Sequence, residues 1–226
     1  MSPPSARRIV FVGPPGAGKG TQAAALAQEL AVAHLSTGDL LRAAVAAGSP
    51  LGKAADGHIR AGRLVPDELV LEILGERLHR PDALRGFILD GFPRNLAQAE
   101  ALGRLTALEV VVSFELDPSA LVARLEGRRL CPTCGSVYNV ATQPPRVAGR
   151  CDRDGTELTQ RPDDRPEAVR VRLDVYRRQT EPLLAHYRAA GLLRSLDASG
   201  SPAAVLDRLR GLVGAAPPAR SPAGTP

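Results

Sequence analysis

The sequence contains few aromatic residues, few cysteines and no long apolar run. Aromatic residues make up only 3% of the 226-residue chain, and Trp is absent, which argues against stacking of single-stranded bases. No stretch approaches the roughly 18 apolar residues of a membrane span, and no apolar signal-peptide region precedes the first strand. We therefore expect a soluble cytoplasmic protein with no membrane partner. Its hydrophobic content of 44% is enough for one large domain, or for a core with small inserted lobes.

Lysine is also scarce, although the chain is basic. Of 29 basic residues, only Lys19 and Lys53 are lysines. The net charge of +5 and the pI of about 9.6 favour anionic partners, either phosphorylated small molecules or nucleic acid. A compact ammonium fits a tight phosphate cradle better than a guanidinium does, so Lys19 is a candidate phosphate ligand. Lys53 is interpreted as a solvated helix position.

A glycine-rich loop near the amino terminus predicts phosphate binding. The apolar strand Ile9–Val12 leads into Gly-Pro-Pro-Gly-Ala-Gly-Lys-Gly-Thr at residues 13–21, followed by a helical pattern to about residue 31. Strand, glycine loop, lysine and helix in this order form the phosphate-binding loop, in which backbone N–H groups and the helix N-terminus surround an anion. Gly20 stands where most such loops place a Ser or Thr that touches magnesium, and the hydroxyl comes later, at Thr21.

Strands and helices alternate along the rest of the chain, which predicts an α/β fold with a parallel sheet and helices on both faces. Further strands are expected at 33–35, 87–90, 110–114 and 192–196. Helices are expected at 40–47 with Asp39 as N-cap, at 51–61, 66–78, 96–105, 118–127, 166–190 and 203–212, with a loop between 81 and 86. Ligands of such sheets lie at the carboxyl ends of the strands. The segments 13–21, 36–39 and 90–94 should therefore surround one cleft.

The segment 128–164 contains all three cysteines and several prolines and is predicted to be a small β lobe. Cys131-Pro-Thr-Cys134 and Cys151-Asp-Arg-Asp154 are two short-spaced ligand pairs, as in tetrahedral structural zinc sites. Three cysteines cannot form a fully paired disulfide framework. Three unrelated thiols, or a site holding iron or cobalt, are the alternatives. Beyond residue 214, four prolines among small residues predict a disordered tail at 215–226.

Taken together, the motifs resemble those of the adenylate kinases of the long-lid, zinc-binding type, over about residues 7–212. The matching segments are 13–22, 35–42, 90–94 with Gln98, the pair Arg124 and Arg128, 160–165 and Arg172. The resemblance implies a core P-loop domain (1–35, 66–127 and 166–214), an inserted AMP-binding helical lobe (36–65) and a small β lid with the zinc site (128–165). It also covers Gly20, which adenylate kinases share.

The resemblance also implies roles for individual residues. ATP is expected to contact Gly13, Gly16, Ala17, Gly18, Lys19, Gly20, Thr21, Arg124, Arg128, Val137 and Tyr138. AMP is expected to contact Thr37, Arg42, Leu64, Val65, Gly91, Arg94, Gln98, Arg161 and Arg172. Catalysis is expected to depend on Lys19, Arg94, Arg128, Arg161, Arg172 and Asp90, with Asp90 orienting Mg²⁺ through water. Zinc is expected on Cys131, Cys134, Cys151 and Asp154.

The resemblance implies a monomeric enzyme that converts ATP and AMP into two ADP and does not bind nucleic acid. Another monophosphate kinase, for UMP, CMP or GMP, is the nearest alternative, because a hydroxyl such as that of Thr37 can serve several bases. A basic zinc-ribbon protein that binds nucleic acid is more remote, since it leaves 90–94 unexplained. A regulatory GTPase is a poor match, because the chain has no Asn-Lys-x-Asp motif for guanine.

Overall fold

The computed structural model describes residues 7–214. The central element is a sheet of five parallel strands, β1 (Arg7–Val12), β2 (Ala33–Ser36), β3 (Gly86–Asp90), β4 (Val110–Glu115) and β7 (Leu193–Asp197). Their order in the sheet is β2-β3-β1-β4-β7. The tail predicted at 215–226 lies outside the described residues.

Helices cover both faces of this sheet. Within residues 7–214 they are α1 (Lys19–Leu30), α2 (Thr37–Ala46), α3 (Pro50–Arg60), α4 (Asp67–Leu78), α5 (Pro81–Leu84), α6 (Leu96–Leu105), α7 (Pro118–Glu126), α8 (Pro166–Val175), α9 (Leu183–Ala189) and α10 (Pro202–Gly214). Side chains of α2, α3, α4, α6 and α9 form one buried cluster with the sheet, and side chains of α1, α7 and α10 form the other. The predicted α/β class with helices on both faces is confirmed.

The central strand β1 shows why the sheet is buried on both sides. Ile9 and Val10 point to opposite faces and both are fully buried, as expected for an apolar strand between two helix layers. The strand pairs with β3 through Ile9 and Ile88, and with β4 through Val10 and Val111. This register brings the end of β1 next to the end of β3, so the glycine loop lies beside Asp90.

The cysteine segment forms a separate small structure. Strands β5 (Arg128–Leu130) and β6 (Val137–Asn139) pair antiparallel, and Tyr138 and Leu158 form a small buried cluster with Cys131 and Cys151. A short 3₁₀ turn at Pro162–Asp164 leads back into α8. Among residues 7–214, no helix is long and apolar enough to cross a membrane.

Two local expectations were wrong. The N-cap of α2 is Ser36, whose Oγ accepts a hydrogen bond from the backbone N–H of Asp39, so the helix begins before Asp39 because Ser is an equally good cap. The expected loop between 81 and 86 contains α5, which begins at a proline in the first helical position. The helical character expected at 166–190 is confirmed, as α8, a π-helical turn at Tyr176–Thr180 and α9.

Candidate active site

One cleft of about 1400 Å³ opens at the carboxyl ends of the parallel strands. All the residues expected to contact nucleotide line it, together with Asp90. They come from the glycine loop, from α2 and the segment after α3, from the turn after β3 and the start of α6, from α7, from the lid and from α8. The fold therefore gathers positions separated by more than 150 residues around one space.

The glycine loop ends in a helix whose first turn is free to bind an anion. Helix α1 begins at Lys19, and within the described residues no side chain caps it at Gly18. Its first turn contains no acidic residue of its own, and the positive end of the helix dipole favours an anion at this point. Gly16 has a φ of +87°, and a Cβ there would lie 2.9 Å from the carbonyl oxygen of Leu121. Glycine is therefore required at position 16 for the loop to lie against α7.

Lys19 is held inside this loop and faces the cleft. Its Nζ donates to the carbonyl oxygens of Gly13 at 2.7 Å and Pro14 at 2.9 Å. Burial lowers the pKa of Lys19 to about 8, and the neighbouring Asp90 opposes this shift. The ammonium thus lies in a site that lacks enough negative charge, and a phosphate group would supply that charge.

Asp90 lies at the end of β3, next to the first turn of α1. Burial opposes its ionisation, but the neighbouring imidazole of His34 and the charge of Lys19 outweigh burial and lower its pKa. The Nε2 of His34 lies 3.7 Å from Oδ2 of Asp90. A Cβ at Gly20 would lie 3.1 Å from the same Oδ2. Gly20 is therefore what lets the carboxylate lie this close to the helix, and a Ser or Thr there would crowd it.

The opposite side of the cleft is built by α2 and the turn after β3. Thr37 is 1% exposed, and its hydroxyl donates to the carbonyl oxygen of Gly91 at 3.0 Å. Arg42 donates to Asp39 one helical turn earlier at 2.6 Å. Leu64 and Val65 follow α3 and complete this wall, with Val65 buried.

Arg94 is anchored on every side. Its Nε donates to the Gly91 carbonyl at 2.7 Å, and its backbone N–H donates to Oε1 of Gln98 at 2.7 Å. Its carbonyl accepts from the hydroxyl of Thr180, in the π-helical turn, at 2.7 Å. Burial, reinforced by the charge of Arg172, lowers the pKa of Arg94 to about 10. The guanidinium thus remains charged at neutral pH and is fixed in place.

Two further arginines share one buried carboxylate. Asp164 is fully buried and accepts from Nε of Arg128 at 2.7 Å and from Nη1 of Arg172 at 2.9 Å. Oδ2 of the neighbouring Asp163 also lies 3.0 Å from Nη1 of Arg172. Because β5 contributes Arg128 and α8 contributes Arg172, the two aspartates tie the lid to the core at the cleft.

Arg161 and Arg124 lie at the edges of this group. Nη2 of Arg161 lies 3.4 Å from Asp39, across the cleft, and its buried Nε has no hydrogen-bond partner among the described residues. Burial and the charge of Arg42 lower the pKa of Arg161 to about 10. Arg124 donates to the carbonyl oxygen of Ala198 at 3.2 Å, on the glycine-loop side.

Val137 and Tyr138, both on β6, also line the cleft. Val137 is partly exposed there. The Tyr138 hydroxyl, in contrast, accepts from the backbone N–H of Asp152 at 2.8 Å and lies 3.5 Å from the Cys151 sulfur. This hydroxyl is therefore engaged inside the lid.

The lid residues expected to bind metal do form one cluster. The ligand atoms of Cys131, Cys134, Cys151 and Asp154 all lie within 4.8 Å of one another. The Cys134 and Cys151 sulfurs are 3.5 Å apart, and Cys131 lies 3.3 Å from Asp154 Oδ2. A tetrahedron with Zn–S bonds of roughly 2.3 Å has edges of about 3.8 Å, so the cluster has the size of a closed four-ligand site.

Both halves of the cluster have the same backbone geometry. In each half, the N–H of a glycine four residues on, Gly135 or Gly155, donates to the carbonyl of the first cysteine at 3.0 or 2.9 Å. In each half a backbone N–H also points at that cysteine's sulfur at 3.4 Å. Two equivalent turns that direct their side chains to one point are typical of a structural metal site.

The cleft also contains residues that sequence analysis did not single out. The loop after β7 supplies Ala198, Gly200 and Ser201, and the start of α10 supplies Pro202. The side chain of Gln22 donates to the carbonyl of Pro202 at 2.9 Å. The position of this loop at a strand's carboxyl end was the available signal. The π-helical turn, which brings in Thr180, has no comparable signal in the sequence.

Comparison with known proteins agrees with this geometry. A model of the family described as adenylate kinase matches residues 11–192. An adenylate kinase of Thermodesulfovibrio yellowstonii is 51% identical over 199 residues, which cover 86% of this chain and 93% of that protein. One of Moorella thermoacetica is 50% identical over 204 residues, which cover 88% of this chain and 94% of that protein. The resemblance drawn from the motifs is confirmed, and the chain belongs to the adenylate kinase family, the nucleoside monophosphate kinases that act as phosphotransferases.

Proposed function

We propose that the chain transfers a phosphoryl group reversibly between ATP and AMP, giving two ADP, in the cleft described above. The observation that carries this proposal is the convergence of six cations on one space. They are Lys19, Arg42, Arg94, Arg128, Arg161 and Arg172. Burial, together with neighbouring cations, lowers the pKa of Lys19, Arg94, Arg161 and Arg172, so this site favours ligands with several negative charges.

The two halves of the cleft have different roles in this proposal. The glycine loop, Lys19, Arg124 and the tip of the lid hold the phosphates and base of ATP. Helix α2, the backbone near Leu64 and Gly91, and the side chains of Arg94 and Gln98 hold AMP. Arg128, Arg161 and Arg172 lie between the two halves and neutralise the phosphoryl group in transit.

The chemistry requires positioning and charge neutralisation rather than a general base. The second pKa of a phosphate monoester is about 6, so the AMP phosphate is already largely ionised at neutral pH. Phosphoryl transfer then depends on in-line alignment and on fixed donors around the spreading negative charge. Arg94 and Arg172 are such donors, because hydrogen bonds to Gly91 and Asp164 hold them before any ligand binds.

Magnesium binds together with ATP in this proposal. Asp90 fits the role of orienting the ion's water, because its pKa is lowered and it lies beside Lys19 at the start of α1. The ion would neutralise phosphate charge and help align the phosphates. Thr21 lines the same region and offers the nearest hydroxyl of the loop.

The domain division also belongs to this proposal. A core of 1–35, 66–127 and 166–214 carries the sheet, and the lobes 36–65 and 128–165 close over the two nucleotides. Closure keeps water away from the transferring group, so that ATP is not hydrolysed. The contact between Arg161 and Asp39 joins the two lobes directly, as a closed arrangement requires.

We propose that the lid cluster holds one structural zinc ion. Three thiolates and a carboxylate in two matched turns suit a closed tetrahedral site, which stabilises a fold rather than catalysing a reaction. Free thiols of this kind favour a reducing compartment such as the cytoplasm. Both halves of the cleft come from one chain, so we also propose that the enzyme acts as a monomer.

The proposal is tested with purified protein, ATP, Mg²⁺ and a panel of acceptors: AMP, GMP, CMP and UMP. ADP formation should be fastest with AMP, and omission of the acceptor should leave little ATP turnover. A different best acceptor would refute the assignment to AMP, and ATP hydrolysis without any acceptor would refute the closed, dry cleft.

A further inference from the structure

The side chain of Gln98 is locked from two sides by groups of opposite hydrogen-bonding character. Its Oε1 accepts from the backbone N–H of Arg94 at 2.7 Å, and its Nε2 donates to Oδ1 of Asp67 at 2.7 Å. The residue is 1% exposed. A backbone N–H only donates and a carboxylate only accepts. The amide therefore cannot exchange its oxygen and nitrogen without losing both hydrogen bonds.

Asp67 is itself positioned to hold this orientation. It is the first residue of α4, on a different element from Gln98, which lies on α6. Nδ2 of Asn95 donates to both Asp67 oxygens, at 3.0 and 3.1 Å, and the Asn95 Oδ1 accepts from the backbone N–H of Gln98 at 2.8 Å. Asp67, Asn95 and Gln98 thus form a small network behind the wall of the cleft.

The orientation of an amide determines which purine it can recognise. The six-membered ring edge of adenine presents an acceptor at N1 and a donor at N6, whereas the same edge of guanine presents a donor at N1 and an acceptor at O6. An amide offers one donor and one acceptor side by side, so one orientation matches adenine and the flipped orientation matches guanine. A freely flipping glutamine would accept either base.

We propose that Asp67 is a positioning residue that makes the acceptor site selective for adenine by preventing the flip of the Gln98 amide. This inference rests on the proposed function, in which Gln98 contacts the base of AMP. Asp67 does not touch the nucleotide in this account. It acts through Gln98, which lines the cleft and keeps one amide hydrogen and one oxygen lone pair for the base.

The test compares Asp67→Ser with Glu68→Gln. Oδ1 of Asp67 accepts from both Asn95 and Gln98, so Asp67→Asn still offers Gln98 one acceptor oxygen. The Asp67→Ser side chain is too short to reach Gln98, so the amide of Gln98 loses one of its two restraints. Glu68 is the next residue on α4, is exposed, and loses the same charge in the control. Kinetic constants with ATP are measured for AMP and for GMP, and thermal melting checks the fold.

For Asp67→Ser we expect the KM for AMP to rise by about tenfold, which is about 1.4 kcal/mol. The ratio of kcat/KM for GMP to that for AMP should rise by a similar factor, while the KM for ATP stays within about twofold. Ser suits a helix start, so the fold should be kept. Asp67→Asn, which still offers Gln98 an acceptor oxygen, should change the ratio less than Asp67→Ser does, and Glu68→Gln should behave like the wild type.

A lower melting temperature with an unchanged GMP-to-AMP ratio would overturn the inference, because Asp67 would then serve only the start of α4. A Gln98→Ala variant distinguishes a failure of the inference about Asp67 from a failure of the proposed contact between Gln98 and AMP. If this variant loses AMP affinity while Asp67→Ser keeps wild-type selectivity, only the inference about Asp67 fails. If Gln98→Ala binds AMP as the wild type does, the AMP assignment of Gln98 fails as well.

Discussion

The buried carboxylate of Asp164 provides a direct test of how the lid arginines are held. It is fully buried and accepts hydrogen bonds from both Arg128 and Arg172. In the variant Asp164→Asn, the shape is kept but the charge is lost, and one of the two acceptor oxygens becomes an NH₂ group. That NH₂ group must then face an arginine N–H. The guanidinium groups of Arg128 and Arg172 also lose the negative charge of the carboxylate that lies between them.

The size of the effect follows from this geometry. Breaking a buried ion pair by removing one partner costs roughly 3–5 kcal/mol. The side chains of Arg128 and Arg172 are each 19% exposed and Asp163 still contacts Arg172, so we expect the lower end, about 3 kcal/mol. For a chain of this size, that loss corresponds to a melting temperature lower by roughly 6–12 °C.

The assay is thermal melting, with and without nucleotides, of Asp164→Asn beside a matched control. Asp174→Asn removes the same charge from the exposed pair between Asp174 and Arg178, whose side chains are 53% and 76% exposed, and should cost less than about 1 kcal/mol. ATP with AMP should stabilise Asp164→Asn more than the wild type, because phosphates replace the missing counter-charge. Equal melting temperatures for the two variants without nucleotide would refute the role given to Asp164.

Three further predictions test separate parts of the site. Arg94→Ala should raise the KM for AMP by more than about tenfold, since a charge-assisted hydrogen bond is worth about 1.5–3 kcal/mol. The KM for ATP should stay nearly unchanged. A similar mild loss for both substrates would contradict the assignment of Arg94 to AMP. Because the pKa of Lys19 is lowered to about 8, its charge is present below that pH and is lost as the pH rises through it, so kcat/KM for ATP should fall above about pH 8. Lys19→Ala should cripple phosphoryl transfer and abolish this decrease at high pH. A decrease that survives in the variant would belong to another titrating group. Purified protein should carry about one zinc ion per chain. Cys134→Ala should lose the ion and should lower the melting temperature of the lid more than it slows the chemical step. A metal-free protein of unchanged stability would exclude a structural zinc site.

Local patterns in the sequence were sufficient for the sheet and for most of the cleft. The glycine loop and the apolar strand before it lie next to each other in the chain, so their spacing alone predicts their geometry. Asp90 was found in the same way, because it ends an apolar strand. The parallel order of the strands then places 13–21 and 90–94 side by side, as β1 and β3 pair directly.

Features that depend on contacts between distant elements were not predictable in this way. Ser36 and Asp39 are both good caps and lie within one turn, so only the packing of α2 decides which of them is used. The π-helical turn at Tyr176–Thr180 is stabilised by its contact with Arg94, 86 residues earlier. The hydrogen bond between Gln98 and Asp67 joins two helices, and neither residue alone signals it.

The central claim is that ATP and AMP bind end to end in one cleft of a single chain. Calorimetry with a compound in which two adenosines are joined by five phosphates tests this claim most directly, because such a compound spans both halves only if they are continuous. We expect one molecule to bind per chain and to be displaced by ATP and by AMP alike. Two molecules per chain, or displacement by only one of the two nucleotides, would contradict it.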